Sequence, residues 1–245
     1  MPNLRTPLVF VPGSSFLHSQ LGGEYFHGIS KFMALDGREF YVATLPKRRT
    51  IEDRSRALAE QVSERFGNRE IELVAHSSGG LDARHYVSQL GGHKQVKRLT
   101  TLGTPHRGMQ LIPFWQEVLP ASVVRAFKRG CEKNGGTFET FSELSPEYLQ
   151  QVFNPACPNH PDVQYRSIVA VTPRFSQCSP YLWITRKIVE KLEGPNDGFV
   201  SSASAQWGES IDTIQADHFS LVGHPFGIGI GIDLHHHYLR VTGAV

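Results

Sequence analysis

The stretch IELVAHSSGGLDARHY, Ile71 to Tyr86, decides the fold. Its opening, with Ile71, Leu73 and Val74, suits a strand. Four small or polar residues follow at once, Ser77-Ser78-Gly79-Gly80, and then a helical pattern with Ala83, Tyr86, Val87 and Leu90 on one face and Gly91-Gly92 at its end. A strand that breaks sharply into a helix can lift a serine out of the sheet edge as a nucleophile. Such an elbow needs small residues two places before and two places after the serine, because neighbouring chain crowds both. Ser77 has Ala75 and Gly79 there; Ser78 would have His76, which is too large. Ser77 is therefore the candidate nucleophile. The Ser78 N–H, at the helix N-terminus, is a candidate donor to a developing oxyanion.

Outward from the elbow, Leu8–Val11, Glu39–Leu45, Val96–Leu102 and Gln164–Val171 read as further strands, with Ile211–Ala216 a weaker sixth. Most lack polar alternation, as parallel strands covered on both faces do. Ile51, Ser55, Leu58, Val62 and Phe66 mark one helix face, with Thr50 as N-cap and Gly67-Asn68 as the stop. Strand-helix alternation predicts an α/β fold, a doubly wound and mostly parallel sheet of about six strands. No linker or repeat divides residues 1–245, so one domain is expected.

Residues 109–154 break the rhythm. The segment has no good strand, but LIPFWQEVL and ASVVRAFKRG each read as a short amphipathic helix. An excursion past the carboxyl end of a strand lies over the ligand crevice of such a sheet. It is expected to be a lid or cap. Ile112, Phe114, Trp115, Val118, Leu119, Val123, Val124 and Phe127 would fold down over the crevice in water, with Lys128 and Arg129 behind them.

Composition excludes several classes. With 25 Lys+Arg against 23 Asp+Glu the net charge is +2, which gives no basic field for nucleic acid. No run approaches the ~20 apolar residues of a membrane span. Only Met1 to Pro7 precede the first strand, so no signal peptide is read. A cytoplasmic location is expected, with peripheral association at a lipid surface or leaderless secretion as alternatives. Cys157 and Cys178 could bridge, but reduced thiols are the favoured reading beside Cys131.

A serine nucleophile needs a base and an acid. In this architecture they follow it in the order acid, then base, on late loops. Asp197 in GPNDGFV and His218 in ADHFSLVG fit that order. His218 would take the Ser77 proton, and Asp197 would hold the imidazole. Asp212 is a rival acid; Asp217 is a poorer one, because adjacent side chains point apart on extended backbone. The loop after the first strand, VFVPGSSF, would supply the second oxyanion donor, the Ser14 N–H beside Gly13. The three histidines of LHHHYLR point in different directions on a helix and cannot share one ion. His93, His106 and His160 have no assigned role.

These residues resemble the lipase family of the α/β-hydrolases: the bacterial true lipases of the Pseudomonas and Burkholderia type, and related eukaryotic triacylglycerol lipases. LGGEYFHGISKFMALDGREFYVATL, HSSGGLDARHY, LTTLGTPHRG, NDGFVSSASAQWGE and DHFSLVG carry the resemblance, from Leu8 to about Gly223. It implies an α/β-hydrolase fold with Ser77, Asp197 and His218 as triad and Ser14 and Ser78 as oxyanion donors. The chain departs from the family at Pro12-Gly13, where His-Gly is usual. It also departs at Ser220, where the bacterial members place a calcium-binding aspartate, and in having no Asp from Thr172 to Asn196. No metal and no cofactor is expected, and no counterpart of the bacterial disulfide is found.

The expected activity is serine carboxylic-ester hydrolysis, most simply of triacylglycerol through an acyl-enzyme. An esterase, phospholipase, thioesterase or acyltransferase would use the same triad. A non-catalytic binding protein of this fold would be expected to have lost a triad member.

Overall fold

A computed structural model describes residues 5–14, 24–47, 49–120, 139–228 and 233–242, with residues 122, 125 and 129. The six strands are β1 (Leu8–Val11), β2 (Phe40–Val42), β3 (Ile71–His76), β4 (Val96–Leu102), β5 (Gln164–Val171) and β6 (Glu209–Gln215). They form one sheet in the order β2-β1-β3-β4-β5-β6, and every pairing is parallel. Val74 on β3 lies between Phe10 and Thr100 in the register.

Alternate residues of the central strands enter two cores. Val9, Val11, Leu73 and Ala75 pack under α2 (Ile51–Phe66) and α3 (Gly79–Gln89), against Leu58, Val62, Ala83 and Val87. Leu8, Phe10 and Val74 face the other way, against Ile29, Phe32 and Met33 of α1 (Ile29–Asp36) and Tyr238 and Val241 of the last helix (Leu234–Thr242). Burial on both faces is why these strands carry unbroken apolar runs. Helix α2 begins as its sequence indicates: the Asp53 N–H donates to Thr50 Oγ1 (3.2 Å), and Gly67 ends it with φ 56°.

Two strands differ from expectation. The second is only Phe40–Val42, because it is an edge and pairs with a four-residue neighbour alone. The sixth starts two residues early, at Glu209, and its residues are half-buried or exposed, as suits the other edge. An amphipathic helix between β5 and β6, Trp183–Glu193, was not read from sequence.

The excursion after β4 starts with α4 (Leu111–Val118), as expected. Val123, Val124, Phe127, Lys128 and Cys131 lie outside the described residues. The expectation that the whole apolar set folds down needs correction. Leu111 and Ile112 are buried, but Val118 is 60% and Leu119 39% exposed. The helix is held by its first turn, where the Gln110 N–H donates to Glu193 (3.1 Å), so its far end projects. The excursion closes on itself at a neck, with the Met109 N–H donating to the Leu144 carbonyl (2.9 Å). Among the described residues, no helix is long and apolar enough to cross a membrane.

Candidate active site

Parallel strands bring their carboxyl ends to one edge of the sheet, and the sequence-predicted site residues meet there. Ser77 follows β3 directly, Ser14 follows β1, and His218 follows β6. Asp197 lies in the loop between the Trp183–Glu193 helix and β6.

Among the described residues Ser77 is the one non-glycine with positive φ, 55°. An L-residue in this region costs roughly 1–2 kcal/mol, and the surroundings hold it there. The Ser77 N–H donates to Leu102 O on β4 (3.0 Å), and the Ser77 carbonyl accepts from the Gly80 N–H (3.1 Å). The turn aims Ser77 Oγ at His218 Nε2, 3.0 Å away. On the far side of the ring, His218 Nδ1 lies 2.7 Å from Asp197 Oδ2. A carboxylate only accepts, so Nδ1 carries the proton and Nε2 is free to accept from the serine.

Asp197 is buried and well held. Its Oδ1 accepts from the N–H groups of Phe199 (2.9 Å) and Val200 (2.8 Å). Its backbone carbonyl accepts from the His218 N–H (2.8 Å), which ties acid and base loops together. The turn Asn196-Asp197-Gly198 is closed by the Gly198 N–H donating to Asn196 Oδ1 (2.9 Å).

The rival carboxylates are engaged elsewhere. Asp212 pairs with Arg240 of the last helix. Asp217 is fully buried and clasps three segments. Its Oδ2 accepts from the N–H groups of Ser179 and Ile228 (both 2.9 Å), and its Oδ1 from the Ser220 N–H (2.9 Å) and hydroxyl (2.8 Å). This arrangement does not suit a calcium ion: donors already fill both carboxylate oxygens, and Ser220 turns its hydroxyl toward Asp217. Among the described residues no group of three His, Cys, Asp or Glu is placed to hold a metal. Chelator is expected to leave activity and melting temperature unchanged. A fall with EDTA that Ca²⁺ restores would reject this account of the loop.

Of the two candidate oxyanion donors, Ser78 heads α3, and the Ser14 N–H donates to Ser78 Oγ (2.8 Å). The two predicted donors thus adjoin, and Ser14 must exchange the hydroxyl for a substrate oxygen to act. Gly13 is required by close approach: a Cβ there would lie 2.8 Å from Ser77 Cβ.

Sequence reasoning missed the residues that brace this edge. Arg54 donates to Asp82 Oδ2, Pro46 O and Pro12 O, each at 2.8 Å, and so steadies the loop carrying Ser14. Burial pushes the Asp82 carboxyl up to about 6, opposed by Arg54. Their positions one turn in from each helix start were the only available signal. Arg84 lies 3.7 Å over the Trp207 ring and donates to Asn154 Oδ1 (2.8 Å) and Cys157 O (2.9 Å), anchoring the chain where it returns from the excursion. His106 stacks on Trp207; burial first, then Arg84 and Arg107, drives its imidazole well below the usual value. His93 and His160 stack on each other, and His237 lies 2.9 Å from the Leu221 carbonyl while His236 is exposed. Cys157 and Cys178 are both free and buried.

A serine, a histidine and a carboxylate hydrogen-bonded in series at the edge of an open parallel sheet form the arrangement of the serine-hydrolase class of α/β proteins. Known proteins narrow the class. The palmitoyl protein thioesterase family profile matches residues 39–156. Triacylglycerol lipase 2 of Saccharomyces cerevisiae is 26% identical over 249 residues, covering 89% of this chain and 72% of the yeast protein. A Vibrio cholerae triacylglycerol lipase is 30% identical over 123 residues, 49% of this chain and 39% of that one. The fold matches the mature Bacillus licheniformis lipase BlEst2 with a TM-score of 0.72 at 22% identity, over 91% of this chain and 89% of that one. The chain is thus similar in sequence to triacylglycerol lipases and has the α/β-hydrolase fold of the lipase structure.

Proposed function

We propose that this chain, a lipase-type carboxylic-ester hydrolase, cleaves acylglycerols through an acyl-enzyme formed on Ser77. The observation that carries the reading is the relay Ser77 Oγ–His218 Nε2–His218 Nδ1–Asp197 Oδ2, with spacings of 3.0 and 2.7 Å. Ser77 Oγ attacks the ester carbonyl carbon as its proton passes to His218 Nε2. Negative charge gathers on the former carbonyl oxygen, beside the N–H groups of Ser78 and Ser14. The tetrahedral adduct collapses, and His218 returns the proton to the leaving alcohol. Water, deprotonated by the same nitrogen, then attacks the acyl-enzyme and frees the acid and Ser77.

Residues 109–154 serve in this reading as a lid over the crevice. The exposed Val118 and Leu119, at the end of a helix pinned by its first turn, favour a lid that meets lipid over a sealed cap. A rate jump is expected when tributyrin passes its solubility limit. Trp115→Ser is expected to weaken activity on emulsions more than on soluble p-nitrophenyl butyrate. Smooth saturation through the limit, with both substrates equally affected, would sink the lid and leave an esterase under a fixed cap.

One observation favours a second reading, thioester hydrolysis: the thioesterase profile spans the elbow. Turnover of a long-chain acyl thioester faster than the matching oxygen ester would install it. A fluorophosphonate probe separates both from a binding protein, which would not be labelled.

A further inference from the structure

Tyr25 and His76 stand beside the triad without belonging to it. The Gly13 N–H donates to the Tyr25 hydroxyl (3.0 Å), which lies 2.7 Å from His76 Nδ1. His76 Nε2 lies 3.1 Å from the backbone carbonyl of His218. These roles follow from the chemistry of the partners. A carbonyl only accepts, so His76 Nε2 carries the ring proton. In the neutral ring Nδ1 is then the acceptor, and the Tyr25 hydroxyl donates to it while accepting from Gly13. The result is one line of hydrogen bonds: Gly13 N–H to Tyr25, Tyr25 to His76, His76 to the His218 carbonyl.

Its two ends are the moving parts of the chemistry. Gly13 precedes Ser14, the candidate oxyanion donor, and His218 is the candidate base. The middle residue, His76, immediately precedes the nucleophile. The His76 ring also lies against the His218 ring, with centroids 4.6 Å apart and planes at 42°. A second positive charge there would oppose the imidazolium that His218 becomes during the reaction. The Tyr25 hydroxyl opposes it by donating to Nδ1, which must be unprotonated to accept.

We propose that Tyr25 and His76 are positioning residues that lock the oxyanion loop and the base loop into one register about Ser77, with His76 held as the neutral Nε2–H tautomer. The proposal rests on the triad reading above. Reaction geometry is sensitive at the ångström scale, so losing this tie costs rate where it need not cost substrate affinity. Tyr25 packs its ring against Phe26, at 5.1 Å between centroids, and phenylalanine would keep that contact while removing only the hydroxyl.

The test is a double-mutant cycle on soluble p-nitrophenyl butyrate, with kcat, KM and melting temperature measured for each variant. Tyr25→Phe is expected to lower kcat by about tenfold or more, with KM changed by less than about twofold. His76→Leu should do the same or worse. Adding Tyr25→Phe to His76→Leu should cost little more, because the line is already broken. His76→Gln, which can donate to the His218 carbonyl and accept from Tyr25, should recover much of the loss. Additive losses, a wild-type kcat in Tyr25→Phe, or glutamine no better than leucine would overturn the proposal. Ser77→Ala and His218→Ala run alongside. If they stay active, the triad reading itself falls; if they are dead while Tyr25→Phe is normal, only the Tyr25–His76 proposal falls.

Discussion

Ser77→Ala is expected to remove catalysis by a factor on the order of 10⁴ or more while leaving the fold intact, and His218→Ala to match it. The reason is mutual dependence. Without His218 the Ser77 hydroxyl is a weak nucleophile; without Ser77 the imidazole has no proton to move. Combined variants should therefore lose little more than either one alone, because the residues act as a unit. Asp197→Asn should cost nearly as much by a different route. An amide presented to Nδ1 can favour the tautomer that places the proton on Nε2, where the serine needs an acceptor. The amide oxygen left facing the N–H groups of Phe199 and Val200 is a weaker acceptor than the carboxylate, so some loss of melting temperature is expected for this variant alone among the three. A Ser77→Ala enzyme with normal turnover beside a dead Ser78→Ala would displace Ser77 from its role.

The sheet was legible because its strands are buried on both faces, and burial writes long apolar runs into the sequence. The edges were less so. β2 and β6 each pair on one side only, and their ends are set by how much neighbouring strand there is to bond, which local sequence does not record. The elbow was legible for a steric reason: Ser77 must have small flanks, and only one of the two serines has them. Asp197 and His218 followed from chain order. Tyr25, Arg54 and Asp82 were not legible, because their importance lies in partners far along the chain. Tyr25 reads as an ordinary aromatic until its hydroxyl is seen between Gly13 and His76. His76 entered the sequence argument only as a residue too large to precede Ser78 by two. Asp217 was set aside as an acid for a sound reason, yet it has a structural task that spacing gave no sign of, the clasp on Ser179, Ser220 and Ile228.

Gly79→Ala is the second substitution expected to have a large effect, though it adds one methyl group and touches no triad atom. Gly79 follows Ser78 at the start of α3, where the helix end abuts the chain leaving β1. A Cβ at this position would lie 2.6 Å from the Val11 carbonyl oxygen and 2.8 Å from that of Pro12. Both are backbone atoms, so no side chain can swing aside. Either α3 must withdraw or the Pro12–Ser14 loop must move, and Arg54 resists the second by its bond to the Pro12 carbonyl (2.8 Å). Overpacking of this kind costs roughly 1–3 kcal/mol, so the melting temperature should fall by several degrees. The larger consequence is catalytic. The clash parts the two segments that carry the Ser78 and Ser14 N–H groups, and an oxyanion hole that loses one donor loses about 10²–10³ in kcat. Folded Gly79→Ala protein should therefore show kcat reduced by about that factor, with the Ser77–His218 pair still in place and slow labelling by a fluorophosphonate still detectable. The same enzyme with wild-type kcat and melting temperature would mean that the β1 loop and α3 do not meet as closely as 2.6 Å implies. The oxyanion site would then have to be sought away from Ser14.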